Sequence, residues 1–433
     1  MQYNLILREI EAISTTEREY ESIQFKIIVH NKDYDIKVTM FESLEFKADY
    51  NNKIADDIFL HFNMGLGDYT YELLPYKDNT EITVIKSFNN IAFENITYKA
   101  VLINDSKNSH GVQSNISKEI LNKASLIRVS FQLMEKSVEV IRSINVDGIY
   151  KNTNVKDGML TVFNKNLTNV AINGEKLNPL INIVEPDNTK VFNQIIIPTG
   201  TFLTDVPSYI QDTRYGIYSG DIGFYIKNIR QDILNYKPCL FIYPLYTIKQ
   251  DQYNSLYIYH SDNKRSKAII NSYDNKNNIL KIATSEVDML EKGERDFIND
   301  GNAVTYSSME NIYNYNSTVT NDKINYTSKT QLGSDHYETQ DGLRSENYIG
   351  NIDNVFKYHS NLANKNMGLY KFKWNMSNHR HIYPGMNTTV FYQIDDEVKT
   401  LVGVIQGYYS IYNQALKNET TYLMIKLREV NNE

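Results

Sequence analysis

Few groupings in this 433-residue chain combine the residue types and spacing that chemistry requires. Gly65-Leu66-Gly67 opens like a phosphate-cradling loop, but no third glycine follows where one is needed and no Gly-Lys-Ser/Thr completes it, so it reads as a turn. His379 and His381 flank Arg380; on a strand both imidazoles would point to one side and could share a metal ion. With no carboxylate or third histidine at ligand spacing nearby, this triplet reads as a polar strand end. Asp335-His336 and Glu346 lie in a polar stretch and carry no triad signature. Adjacent carboxylates occur at Asp56-Asp57 and Asp395-Asp396-Glu397, whereas glycoside hydrolysis needs two carboxyls opposed across about 5 to 10 Å. These clusters read as solvated hairpin tips. Cys239 follows Pro238 in an apolar run and reads as a buried structural thiol. Lys371-Phe372-Lys373-Trp374, with Arg380 nearby, alternates base and aromatic as a nucleic-acid platform would, but one half-exposed strand gives the same pattern. The reading is therefore not an enzyme: no catalytic residue, no metal and no cofactor is expected.

Composition points the same way. At roughly 100 to 200 residues per domain the length allows two to four packed units. The 52 acidic and 45 basic side chains leave a net charge of -7, unsuited to wrapping nucleic acid by phosphate neutralisation. Partners are expected to be proteins. A single cysteine excludes an intrachain disulfide framework, and no apolar run approaches the ~18 to 20 residues of a membrane span. Tyr is frequent at 34 residues and Asn stands at about one residue in eight. The first suits half-buried strands and wet interfaces and the second suits left-handed turns, although an AT-rich genome explains the same bias.

The elements follow from periodicity. Period-2 stretches with β-branched and aromatic enrichment at 24–30, 34–46, 57–63, 69–74 and 81–88 predict short strands of a barrel or sandwich. Residues 104–118 are polar and read as a boundary. Residues 117–126 predict a short helix, 126–133 a strand, and 155–163 a helix capped by Asn154 with Val155, Met159, Leu160 and Phe163 on one face. Apolar clusters at 191–198, 215–226, 239–245 and 255–260 follow. Residues 291–367 are rich in Asn, Ser, Thr and Tyr with little periodicity, as in an inserted arm. The chain then returns to strands at 369–374, 387–394, 400–412 and 420–428, where Gly403 and Gly407 predict bulges or close backbone contact in a curved sheet.

Three segments together resemble a family. HIYPGMNTTVFYQIDDEVKTLVGVIQGYYSIYNQALKNETTYLMIKL resembles the end of baseplate hub proteins of T-even-type phages. SINVDGIYKNTNVKDGMLTVF resembles the stretch that enters the hub's middle domain. NQIIIPTGTFLTDVPSYIQDTRYGIYSGDIGFYI, with Pro198, Gln211, Tyr215, Gly216 and Tyr218, is similar to the central part of hub proteins from large contractile phages. These segments cover about a quarter of the chain.

The resemblance implies an α+β, mostly β chain: two tube-like β-barrel domains, a mixed α/β middle domain and a loop-rich insertion. Its divisions would be 1–108 (first barrel), 109–235 (connecting domain), 236–290 and 368–433 (second barrel) and 291–367 (insertion). It further implies a homotrimer that adapts a hexameric tail tube to a trimeric spike, with the tail tube protein, a spike protein and neighbouring baseplate wedge proteins as partners. DNA would only pass through the lumen, with no membrane insertion. The place would be the virion tail, assembled in the host cytoplasm. A peripheral tail fibre or receptor-binding subunit, and a tail-associated cell-wall hydrolase, are the alternatives. Tyr215, Tyr218, Phe224, Tyr225, Phe391, Tyr408 and Tyr409 are the candidate interface or packing aromatics.

Overall fold

The computed structural model describes residues 23–31, 35–38, 40–88, 91–103, 117–172, 174–213, 215–230, 236–248, 254–260, 267–269, 278–292, 303–308, 311–316, 327–330, 337–340, 367–394, 397–413 and 418–429. The chain is mostly β with a few short helices. Its principal sheet is one continuous row of strands that curls twice.

In the first curl, Ile23–His30 pairs with Asp35–Val38 and with Thr80–Phe88. The row continues through Ile91–Leu102, Leu126–Glu135 and Asp57–Gly65 to Met40–Asp49. One residue separates Asp35–Val38 from Met40–Asp49. The two ends of the row are thus halves of one bent strand, and the row closes into a barrel. Inward positions alternate as a pleated strand dictates: Leu44, Phe46 and Ala48 on one strand, and Ile58, Leu60, Phe62 and Met64 on the next, are buried.

The second curl repeats this plan. Asn254–His260 pairs with Asn278–Thr284 and with Asn387–Ile394. The row runs on through Glu397–Asn413, Asn418–Glu429 and Gly368–Asn375 to Val287–Glu291. Only Ser285 and Glu286 separate Asn278–Thr284 from Val287–Glu291, so a bent strand again joins the two ends. Numbered along the chain with the three-residue strand Lys267–Ile269 left aside, both barrels have the neighbour order first, second, third, sixth, fifth, fourth. Two features differ. Lys267–Ile269 adds a short antiparallel strand to Asn278–Thr284 with no counterpart among the described residues of the first barrel. The first strand is antiparallel to both neighbours in the first barrel and parallel to both in the second.

Between the barrels in the chain, and packed against both, comes a mixed layer. The ribbon Asn145–Thr153 with Phe192–Phe202 and the helices Val155–Leu167 and Val206–Asp212 share one apolar core. A three-stranded sheet, Leu180–Ile183, Tyr236–Pro244 and Ile222–Arg230, separates that core from the barrels. Alternation divides its side chains: Ile226, Leu240 and Ile242 face the helices, while Tyr225, Cys239, Phe241 and Tyr243 face the barrel core. Asn154 caps Val155–Leu167 as its sequence predicts, its Oδ1 accepting from the Asp157 amide at 2.8 Å. Val155, Met159 and Phe163 are buried on that helix, with Leu160 only half-buried.

Several expectations need correction. The alternating segment 69–74 is not a strand: 66–79 winds as a run of helical turns, with Tyr69 and Leu73 buried four residues apart and Pro75 early in the last turn. Leu126–Glu135, assigned to a connecting domain by the boundary at 108, completes the first barrel. Tyr236–Pro244, assigned to the second barrel, pairs with Ile222–Arg230 in the middle sheet. Local pattern identifies a strand but not its neighbour, so these boundaries lay beyond the periodicity. Within 291–367, Ala303–Ser308 pairs with Asn311–Asn316 and Thr327–Thr330 with Tyr337–Gln340. Asp335, His336, Glu346, Asp395 and Asp396 lie outside the described residues.

Candidate functional site

The 17-residue strand Glu397–Asn413 fuses the two barrels. Its first half pairs with Asn387–Ile394, residues 407–413 pair with residues 43–49 of the first barrel, and Asn418–Glu429 runs along nearly its whole length. The handover occurs at a bulge at Gln406. There Gly407 has φ +156°, and a Cβ on it would lie 2.2 Å from the Ala48 carbonyl oxygen. At Gly403 a Cβ would lie 1.7 Å from the Lys426 carbonyl oxygen. Both glycines are therefore demanded by close backbone approach, as the sequence predicts.

Behind this seam lies a buried network of ionised and hydroxyl groups drawn from all three units. Lys86 Nζ is 3.5 Å from Glu94 in its own barrel and 3.8 Å from Glu419 in the other. Glu419 Oε1 accepts from the His379 amide at 2.8 Å and lies 2.9 Å from His379 Nδ1. Arg380 reaches back to the first barrel, donating to Glu94 at 3.3 Å, Tyr98 Oη at 2.9 Å and Glu135 at 3.4 Å. From the middle sheet, Lys227 Nζ donates to the Ile382 carbonyl at 2.5 Å and lies 3.3 Å from Tyr408 Oη. Tyr225 and Tyr408 both donate to Asp56, at 2.7 and 2.8 Å. A cavity of 410 Å³ adjoins this corner, with Asp56, Glu135, Arg142 and Lys227 among its lining residues.

Burial alone would raise the Glu94 pKa, but the Arg380 and Lys86 charges outweigh it and hold Glu94 at about 2. Burial opposes ionisation of Glu419 too, and His379 and Lys86 pull it well below its ordinary value. His379 is lowered to about 4, chiefly by burial and against the pull of Glu419. At neutral pH it is therefore a neutral ring whose Nδ1–H donates to Glu419. Burial lowers Lys227 to about 8, and burial raises Glu135. Each carboxylate has a cation or a hydroxyl at hydrogen-bonding or ion-pair distance. Such an arrangement holds elements in register.

Two sequence readings change here. The His379–His381 segment is a 3-10 turn capped by Asn378, not a strand end, because the Asn378 side chain accepts from the Arg380 amide at 3.2 Å. His379 is consequently buried against the Phe46 ring, 4.0 Å between centroids, while His381 is only half-buried. Among the described residues no group of three His, Cys, Asp or Glu side chains is placed to hold a metal. Asp56 is not a solvated hairpin tip, since the middle sheet and the second barrel cover its carboxylate. Asp57 remains partly exposed beside Lys53 at 3.9 Å. Gly65 and Gly67 pack tightly against Asn122 and Lys118. Cys239 is buried and its thiol is raised to about 12 by burial. Lys371 and Lys373 face Asp288 and Glu286, with Phe372 and Trp374 turned into the barrel.

Of the seven candidate aromatics, Tyr225 and Tyr408 belong to the network. Tyr215 and Tyr218 are buried in the middle layer, where Tyr215 Oη accepts from the Ile196 amide at 2.9 Å. Phe224 stacks on Phe163, Phe391 on Tyr259 and Tyr409 on Tyr422; these three are half-buried. The sequence reading missed Lys86, Glu94, Glu135, Lys227 and Glu419. Their signal was parity: Lys86 shares a strand face with Ile82 and Val84, and Glu94 with Ile96, Tyr98 and Ala100.

No family model matches this sequence, and no curated protein matches it. Among solved structures, it is similar to the 43 kDa tail protein of prophage MuSo2 from Shewanella oneidensis, at 9% identity and a TM-score of 0.45 over 92% of this chain and 98% of that one. The tail protein from Neisseria meningitidis MC58 gives 9% identity and 0.44 over 93% and 96%. The E. coli c3393 protein, described as a type VI secretion system component with structural similarity to T4 tail proteins gp27 and gp5, gives 10% and 0.44 over 92% and 76%.

Proposed function

We propose that this chain is a structural hub at the axis of a contractile phage tail, acting as a homotrimer. The observation that carries this reading is the repeated strand order: one polypeptide holds two barrels of the same plan, joined edge to edge by Glu397–Asn413. Three copies then present six barrels, matching a hexameric tail tube on one side while keeping threefold symmetry for a spike on the other. The buried network supports a mechanical role, because it fixes the angle between successive barrels. The sequence resemblance to hub proteins supports the same reading.

In this arrangement the protein is not an enzyme. DNA passes through the lumen, and the net charge of -7 disfavours phosphate sticking. Half-buried Phe391 and Tyr409 are proposed contacts to the tube or to wedge proteins. Locating a tagged copy of the chain in intact particles tests the proposal. Three tags encircling the tail axis are expected. Tags at the periphery would make the chain a fibre or receptor-binding subunit instead.

A further inference from the structure

Resting on the hub reading, we infer that copies join through a specific strand seam: residues 101–103 of one copy against Val287–Glu291 of the next. The intrachain junction serves as the template. There the fifth strand of the second barrel extends past its fourth strand, and its freed edge, residues 407–413, pairs with the second half of the bent second strand of the first barrel, residues 43–49. If six barrels form a ring, every junction repeats this one. The fifth strand of the first barrel must then meet the bent second strand of the second barrel in the neighbouring copy.

The residues at those two places have the required character. The ladder between Thr80–Phe88 and Ile91–Leu102 stops at Ala100, so residues 101–103 lie past its end, as residues 407–413 do in the other barrel. Among the described residues, Val287–Glu291 pairs only with Gly368–Asn375, leaving the edge that corresponds to the occupied edge of residues 43–49. Val101 and Ile103 are 51% and 45% exposed, and Met289 and Leu290 are 57% and 48% exposed. Isolated exposed apolar side chains are ordinary. Apolar side chains concentrated on two open strand edges, at the two positions the template designates, are the form of an edge-to-edge contact. The equivalent intrachain strands are sheltered, with Leu44, Phe46, Tyr408 and Tyr412 buried.

Disulfide trapping in the full chain tests this, since the one native cysteine, Cys239, is buried. Val101→Cys or Ile103→Cys is placed in one batch and Met289→Cys or Leu290→Cys in another, and the four mixtures are oxidised. Disulfide-linked dimers from at least one mixture, and linked trimers when a chain carries both changes, are expected; single variants alone should stay unlinked. Native mass spectrometry on the same samples separates the two ideas. A trimer with no crosslink in any combination overturns the seam and leaves the hub intact. A monomer with no crosslink overturns both. As a second variant, Met289→Asp with Leu290→Asp should convert trimer to a folded monomer that still unfolds cooperatively, at a Tm that no longer depends on protein concentration, and a persisting trimer would also overturn the seam.

Discussion

Lys86 in the first barrel and Glu419 in the second face each other at 3.8 Å with side chains 2% and 1% exposed. They belong to strands more than 300 residues apart in sequence, brought together only when the two barrels are docked on each other. The pair is thus a readout of correct docking of the two barrels within one chain.

Replacing Lys86 by Met strands Glu94 and Glu419 as buried carboxylates without their shared cation. A loss of about 3 to 5 kcal/mol is expected for removing one partner of a buried ionic set, measured by urea unfolding of the full chain. Adding Glu419→Gln should recover part of that loss. Unchanged stability in Lys86→Met would mean that the network contributes nothing.

Acid should weaken the fold in two stages. His379 has its pKa lowered from 6.5 to about 4, so between those values the unfolded chain binds the extra proton and stability falls as pH drops. Glu94 has its pKa lowered from 4.5 to about 2, and the stability it supplies is lost as pH falls further through that window. Lys227, lowered from 10.5 to about 8, acts in the alkaline range, where deprotonation of the unfolded chain lifts its penalty as pH rises towards 10.5. Unfolding midpoints from pH 7 to 4 should decline in the native chain and flatten in His379→Gln. Parallel curves would contradict the assignment.

Gly407→Ala should break the handover between barrels. Its φ of +156° and the 2.2 Å approach of a Cβ to the Ala48 carbonyl make the cost exceed the ~1 kcal/mol of an ordinary Gly-to-Ala mismatch. Thermal unfolding should drop accordingly. Gly174→Ala serves as a control, because its positive φ of +87° is accompanied by no atom within 4 Å of a Cβ.

The insertion should be removable. Glu291 and Leu369 are register partners at the point where the chain leaves the second barrel and where it returns. Replacing residues 293–366 by a short Gly-Ser linker is expected to preserve the cooperative unfolding transition. Loss of that transition would make the insertion part of the barrel's core.

Much of the strand content was legible because half-buried strands alternate: 387–394 appears as Asn387–Ile394, and 400–412 with 420–428 forms the predicted hairpin. Periodicity failed where two rules compete. Tyr69 and Leu73 satisfy helical spacing within a segment that also alternates. It also cannot say which strands are neighbours, and so Leu126–Glu135 and Tyr236–Pro244 fell on the wrong sides of the boundaries. The network was obscured for another reason. Charged residues at core parity, such as Lys86 and Glu135, look like surface residues one position out of phase until their partners are known. Asp56 was read from its neighbour Asp57, although its partners Tyr225 and Tyr408 are 169 and 352 residues away.

The central claim is that three chains supply six equivalent barrels around one axis. An electron cryomicroscopy reconstruction of the assembled protein, calculated without imposed symmetry, tests it most directly. The account predicts three copies whose barrel layer has near-sixfold symmetry about an open lumen, with threefold symmetry elsewhere. Barrels that do not encircle a shared axis, or a copy number other than three, would contradict it.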